Sequence, residues 1–151
     1  MKTMPDQKTK PEHTLIGGVI VTHGHLASEF IAAAEMIVGP MPHVTPASID
    51  WHDDVDVARA ELERAIIRVS HGRGTLLLTD MFGGTPTDIA SMFLDSPNIE
   101  VVTGVNLPMI LKLADQTADD TLTELSRRVR EAGHEGIHVA GELLTPTAKN
   151  P

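Results

Sequence analysis

The chain has 151 residues, a length that typically forms one domain. Apolar residues make up 41% of it, which excludes wholesale disorder, and the absence of cysteine excludes disulfides, thiolate catalysis and zinc–cysteine sites. The net charge of −9 argues against nucleic-acid binding and favours a protein partner with a basic face.

Three regions differ in composition. Residues 1–13 are polar, contain prolines and lack periodicity, so we expect a mobile leader. Residues 14–140 are expected to form the folded domain, and residues 141–151 a loose C-terminal tail. The leader has lysines but no apolar segment of the kind found in secretory signals, and no apolar run is long enough to cross a bilayer. We therefore expect a soluble, cytoplasmic protein.

Strands and helices alternate along the folded region. Continuous β-branched apolar runs predict strands that are buried on both faces. In the segments between them, apolar residues recur at helical spacing, which predicts helices. The predicted strands are Leu15–Thr22, Val44–Trp51, Gly74–Thr79 and Ile99–Thr103. The predicted helices are Leu26–Val38, Asp53–Ser70, a short helix that follows the loop Asp80–Thr85 and runs through about Leu94, Asn106–Ala114 and Thr121–Ala132. This order predicts an α/β fold with a mostly parallel sheet and helices on both faces.

Three details of these elements are also predicted. Pro46 indicates that the second strand lies near an edge of the sheet. Gly133 is expected to cap the last helix, and Ile137–Leu144 to add a final short strand. Asn106 either lines the ligand crevice or caps a helix, and capping is the favoured interpretation.

Candidate chemistry follows the first and third strands. In a flavodoxin-like strand order these two strands flank the point where the order reverses, which is where ligands bind. His23 follows the first strand and Asp80 the third, so we expect the imidazole and the carboxylate to lie side by side. A carboxylate that accepts the proton of one ring nitrogen leaves the lone pair of the other free to act as a nucleophile. If Asp80 takes the Nδ1 proton, the reactive atom is Nε2.

The segment after Asp80 favours a phosphoryl group as the electrophile. Gly83 and Gly84 permit a backbone turn that presents several N–H groups to an anion. Thr85 is a candidate N-cap, with Pro86 as the first helical residue and Asp88 completing a Thr-x-x-Asp capping pattern. The start of this helix would direct its positive dipole end towards the crevice.

Several common ligands are not expected. GGTPTD contains no lysine, so it is not a nucleotide P-loop. No predicted strand is followed by a GxGxxG motif, so a dinucleotide ligand is not expected either. Asp80 alone is a poor Mg²⁺ site, and His23 with His25 offers only two nitrogens for a metal. We therefore expect no cofactor and no metal, and His25 to start a helix or touch a partner. The phosphoryl donor would be another protein or a small molecule.

Three segments carry a resemblance to a known family. LIGGVIVTHGHLASEFIAAAEMIVG, LLLTDMFGGTPTDIA and VVTGVNLPMILKL resemble the mannose-family IIA component of the bacterial sugar phosphotransferase system, in the same order and spacing over roughly residues 14 to 135. The resemblance implies a flavodoxin-like, doubly wound α/β fold and a homodimer. It implies that His23 is phosphorylated and that Asp80 orients it.

The resemblance also implies a phosphate loop and partners. Gly83, Gly84 and Thr85 would lie in that loop, and we add Thr22 and Gly24 as candidate phosphate-binding residues, although Thr22 could simply end its strand. The donor would be the phosphohistidine carrier protein HPr, and the acceptor a IIB subunit. Any membrane association would be indirect, through a permease complex.

Other functions stay open at this point. A regulatory module, whose phosphorylation state controls binding to another protein, would use the same residues. The dihydroxyacetone-kinase phosphotransfer subunit is also similar, but its members tend to have Ser where this chain has Gly24. A flavin- or nucleotide-binding domain is disfavoured because aromatic residues make up only 3% of the chain. Met81 and Phe82, which adjoin Asp80, are ordinary apolar residues or a docking patch for the donor protein.

Overall fold

The structure, a computed structural model, describes residues 15–50 and 54–145. The predicted leader at residues 1–13 lies outside this part of the chain, as do Trp51, Asp53 and residues 146–151 of the predicted tail.

Four parallel strands form the sheet, in the order β2-β1-β3-β4. They are β1 Gly17–His23, β2 Val44–Ile49, β3 Thr75–Thr79 and β4 Ile99–Thr103. The chain adds β2 on one side of β1 and then crosses to the other side to add β3, so the strand order reverses between β1 and β3. The prediction from Pro46 is confirmed, because β2 is an edge strand and a proline there costs no hydrogen bond within the sheet.

Helices cover both faces of the sheet, which confirms the doubly wound α/β prediction. They are α1 Leu26–Val38, α2 Val55–Val69, α3 Thr85–Ser91, α4 Leu107–Ala114, α5 Leu122–Glu135 and α6 Ala140–Leu144. Buried residues of α1, α4 and α5 share one core cluster, and those of α2 and α3 share the other. No helix in the described ranges has both the length and the apolar character needed to span a membrane.

The central strands supply side chains to both core clusters. Ile20 and Leu76 pack on the α1, α4 and α5 side, whereas Val19 and Leu77 pack on the α2 and α3 side, and all four are fully buried. Alternate side chains of a strand point to opposite faces, so a strand covered on both faces must be apolar throughout. This burial explains the continuous apolar runs and holds the carboxyl ends of β1 and β3 side by side.

Two predictions about the C-terminal part of the domain are wrong. Gly133 does not cap α5 but lies within it, where a Cβ atom would come within 2.7 Å of Met109 Sδ. A larger residue here would displace the Met109 side chain, so glycine permits the observed packing of α5 on α4, and the helix ends at Gly136 instead. Residues 137–144 form no strand in this chain, because the N–H groups of Glu142 and Leu143 pair locally with the Val139 carbonyl. A strand there would need a neighbouring strand to pair with.

The starts of α4 and α5, in contrast, have the side-chain caps that their sequences favour. Asn106 caps α4, its side chain accepting a hydrogen bond from Met109 N at 3.2 Å, so the capping interpretation is confirmed. Thr121 and Glu124 form a reciprocal capping box at the start of α5.

Candidate functional site

His23 and Asp80 meet at the carboxyl edge of the sheet, where the strand order reverses. His23 is the last residue of β1, and Asp80 directly follows β3. Because Val21 and Thr79 are paired in the parallel ladder, the two side chains emerge together although they are 57 positions apart. His23 Nδ1 lies 2.7 Å from Asp80 Oδ2, and the backbone N–H of His23 donates to the same oxygen at 3.0 Å. The carboxylate thus holds both the ring and the main chain of His23.

This contact selects the tautomer of the ring. An ionised carboxylate only accepts hydrogen bonds, so Nδ1 carries the proton and the lone pair lies on Nε2. The His23 side chain is 44% exposed, whereas that of Asp80 is 14% exposed. The imidazole is therefore accessible to a reactant, while the carboxylate that orients it is largely shielded.

Asp80 has a second oxygen that is buried without a hydrogen-bond partner among the described residues. A carboxylate that receives few hydrogen bonds is poorly solvated, and so interacts strongly with a nearby positive charge. The imidazole is the nearest group that can acquire such a charge. The pair is therefore suited to a reaction in which positive charge develops on the ring.

Gly84 lies directly against the reactive edge of His23. A Cβ atom at Gly84 would stand 3.3 Å from Cε1 and 3.4 Å from Nε2 of the imidazole. Gly83 and Gly84 both have positive φ angles, of 88° and 87°, which side chains rarely adopt. The loop therefore places backbone without a side chain beside the Nε2 edge of the ring.

The start of α3 lies one residue earlier than predicted. Gly84, not Thr85, occupies the N-cap position, and its carbonyl accepts a hydrogen bond from Asp88 N at 3.0 Å. The predicted Thr-x-x-Asp capping interaction is not made, because Thr85 is already the first helical residue. Thr85 is exposed beside Gly84, and no capping bond occupies its side chain.

Thr22 and Gly24 build the turn between β1 and α1. Thr22 is fully buried, and its hydroxyl oxygen accepts a hydrogen bond from Ala27 N at 2.8 Å. His25 stands at the N-cap position but makes no side-chain capping bond, so Thr22 supplies the acceptor for this helix start. Gly24 has a φ of 55° and follows His23 directly. Binding of phosphate by Thr22 and Gly24 stays a prediction.

The surface around His23 is apolar and acidic. Phe82 is 85% exposed and Met81 53% exposed, and both follow Asp80. Acidic residues occupy the first turns and loops at the same edge of the sheet: Glu29, Asp50, Asp54 and Asp88. A groove on the β4 side of Phe82 is instead lined by Arg127, Arg130 and His134. Within the described ranges, no group of three or more histidine or acidic side chains could hold a metal ion.

Two residues that support the loop were absent from the sequence predictions. Thr79 and Thr87 are buried beneath residues 80–84, and their hydroxyl oxygens lie 2.8 Å apart. A threonine at the end of a buried strand and another in a following short helix are too common to single out. Only their contact shows that they act together.

Comparisons with known proteins place most of the chain in one family. Residues 17–130 match the family model described as the PTS system fructose IIA component, where PTS denotes the phosphotransferase system. The mannose-specific EIIAB component of Escherichia coli (strain K12) is 33% identical over 126 residues, which cover 79% of this chain and 38% of that protein. This chain thus spans well under half of the length of that relative.

Two further relatives match over most of their own length. The sorbose-specific EIIA component of Lacticaseibacillus casei is 29% identical over 132 residues, covering 87% of this chain and 95% of the relative. The crystal structure of a phosphotransferase system component EIIA from Streptococcus agalactiae superposes with a TM-score of 0.76 and 26% identity, covering 85% of this chain and 99% of the other. The chain belongs to the mannose family of IIA components of the sugar phosphotransferase system.

Proposed function

We propose that this protein is a phosphohistidine carrier that accepts a phosphoryl group on His23 from phosphorylated HPr and passes it to a IIB subunit for sugar uptake. The observation that carries the proposal is the 2.7 Å contact between His23 Nδ1 and Asp80 Oδ2, which leaves Nε2 as an exposed nucleophile. Family membership supports the general phosphotransferase role.

The proposed transfer is an in-line displacement at phosphorus. The Nε2 lone pair of His23 forms the new N–P bond, while the bond between phosphorus and the donor's histidine nitrogen breaks and its electrons return to that nitrogen. The proton on Nδ1 stays on the ring throughout. Asp80 stabilises the positive charge that the imidazole acquires as Nε2 becomes bonded, and transfer to the acceptor reverses these steps.

Backbone groups around the ring support a phosphoryl group at Nε2. Gly84 lies against Nε2, and the first-turn N–H groups of a helix lack intrahelical acceptors. We propose that amides in the Gly83–Thr85 segment donate to the transferring oxygens, with Thr85's exposed hydroxyl beside them. The turn that Thr22 and Gly24 build would place the start of α1 beside the phosphoryl group, on the side opposite the Gly83–Thr85 segment.

The surface near His23 suits a donor with an apolar patch ringed by basic residues. Phe82 and Met81 would form the apolar contact, and the acidic first turns at this edge would attract the basic ring. HPr is the donor that this proposal names. The same surface would then receive the IIB subunit, because both partners must reach Nε2.

We also propose a homodimer. β4 is an edge strand, so one side of it has no pairing partner among the described residues. The segment after α5 exposes four large apolar side chains: Ile137, Val139, Leu143 and Leu144. Exposed apolar surface and an open strand edge are both unfavourable in a monomer, and a second copy would cover them. Light scattering should give about twice the mass of one chain, and a monomeric mass would contradict this part of the proposal.

The decisive experiment is phosphoryl transfer from labelled phospho-HPr. The protein should take up one acid-labile phosphate per chain, and His23→Ala should abolish uptake. His25→Ala is the matched control, since it removes a neighbouring exposed imidazole, whereas the hydrogen bonds to Asp80 come from His23. Uptake by the His23→Ala protein, or loss of uptake only in His25→Ala, would contradict the assignment.

A further inference from the structure

Two buried hydroxyl groups link β3 and α3 to the loop that carries Asp80. Thr87 donates a hydrogen bond to the Met81 carbonyl, and its Oγ1 lies 2.8 Å from Thr79 Oγ1. Since the single proton of the Thr87 hydroxyl is used on Met81, Thr79 is the donor in the bond between the two threonines. The result is a directed chain from Thr79 through Thr87 to the main chain next to Asp80.

The hydrogen bond from Thr87 to Met81 is not backed by backbone hydrogen bonds in the same part of the loop. Met81, Phe82 and Gly83 make no backbone-to-backbone hydrogen bond with any residue in the described ranges. Phe82 is 85% exposed, and nothing lies within 4 Å of the position that a Cβ would take at Gly83, so side-chain packing does not hold this stretch either. The loop is therefore held by the Asp80 contacts to His23 at one end, by the Gly84 carbonyl at the other and by Thr87 between them.

The two hydroxyls lie where packing alone would favour valine. Thr79 is fully buried and Thr87 is 6% exposed, and the neighbouring residues Ile89 and Ala90 belong to an apolar core cluster. A buried hydroxyl is unfavourable unless it is hydrogen-bonded, and valine has the same shape without that penalty. The hydroxyl chain therefore contributes orientation, because it directs the Met81 carbonyl inward under the loop.

We propose that Thr87 is a positioning residue for Asp80, and that its hydroxyl keeps the carboxylate in the place that selects the Nε2 nucleophile of His23. The hydroxyl of Thr87 bonds to Thr79 and to the Met81 carbonyl rather than to His23, so it acts through the main chain at Met81. The inference rests on the proposed function for its effect on rate. Its effect on the tautomer of His23 does not depend on that function.

The test compares Thr87→Val, which keeps the shape and removes the hydroxyl, with Thr87→Ser, which keeps the hydroxyl. Nitrogen NMR of the full chain, with no phosphate present, reports the tautomer of the His23 ring. Thr87→Val should shift the ring towards a mixture of tautomers and slow uptake from phospho-HPr about tenfold, because small displacements of catalytic groups have large effects on rate. KM for HPr should not change, and Thr87→Ser should retain the wild-type tautomer and rate.

Thr75→Val is the matched control, because it removes a fully buried hydroxyl from the other end of β3. It should lower the melting temperature without changing the tautomer or the transfer rate. Wild-type tautomer and rate in Thr87→Val would overturn the proposal, as would equal losses in Thr87→Ser and Thr87→Val. If Thr87→Val unfolds, Thr87→Ala provides the same comparison without a branched side chain. If Thr87→Val changes the tautomer of His23 but the wild-type protein takes up no phosphate, the positioning role is supported and the proposed function is refuted.

Discussion

Replacement of Asp80 by asparagine isolates the charge of the carboxylate from its geometry. Two donors, the backbone N–H and the Nδ1–H of His23, converge on one oxygen of Asp80. An asparagine oxygen would be held in the same place by both donors, so the tautomer with the lone pair on Nε2 should survive. What is lost is the negative charge beside a ring that becomes positive during transfer.

The size of the effect follows from the distance and the exposure of the pair. Two unit charges about 4 Å apart interact by about 4 kcal/mol at an effective dielectric constant of about 20. Roughly half of this is expected in the transition state, because the charge on the ring is only partly developed and its side chain is 44% exposed. A loss of about 2 kcal/mol corresponds to about a 30-fold slower transfer, at about 1.36 kcal/mol per factor of ten.

Rapid-quench measurement of label transfer from phospho-HPr tests this value. Asp80→Asn should lower the maximal rate about 30-fold and leave KM for HPr unchanged, since the Asp80 side chain is only 14% exposed beneath the ring. Asp88→Asn is the matched control, because it removes the same charge from the first turn of α3 at the same edge. A rate within threefold of wild type, or an equal loss in Asp88→Asn, would refute charge stabilisation by Asp80.

Three further predictions follow from the loop, the surface and a helix cap. Gly84→Ala should slow transfer more than Gly83→Ala does, because a Cβ at Gly84 would lie 3.3 Å from the imidazole, whereas Gly83 has the same positive φ but open space at its Cβ position. Equal rates in the two would contradict a role for this contact. Phe82→Ala should raise KM for HPr several-fold without lowering the melting temperature, while Met36→Ala, an equally exposed change on α1, should alter neither. Thr121→Ala should destabilise the fold by about 1 kcal/mol, seen in urea unfolding as a lower midpoint with an unchanged slope, and an unchanged midpoint would show that the capping box contributes nothing.

Helices and strands were predicted well where their signals are local. α1 runs from Leu26 to Val38 and β4 from Ile99 to Thr103, as predicted. The signals for these elements are the apolar pattern inside each segment and the residues directly beside it, such as Gly39-Pro40 after α1. Gly133 was misassigned because the reason for a glycine there is Met109 on another helix. A glycine required for close packing and a glycine that ends a helix have the same letter and differ only in their neighbours.

Some features of the site were likewise predicted from the sequence, and others depended on tertiary contacts. The sequence alone predicted the class of fold, which follows from the order and burial pattern of its segments, and it placed His23 and Asp80 after the first and third strands. That these two strands flank the reversal followed only once a flavodoxin-like strand order was assumed, and the structure has that reversal. Only the tertiary structure decided which ring nitrogen Asp80 holds, that Gly84 rather than Thr85 is the N-cap of α3, and that Thr79 and Thr87 support the loop. Those features depend on distances of a few ångströms between groups far apart in the chain, and such distances are set by packing of the whole domain.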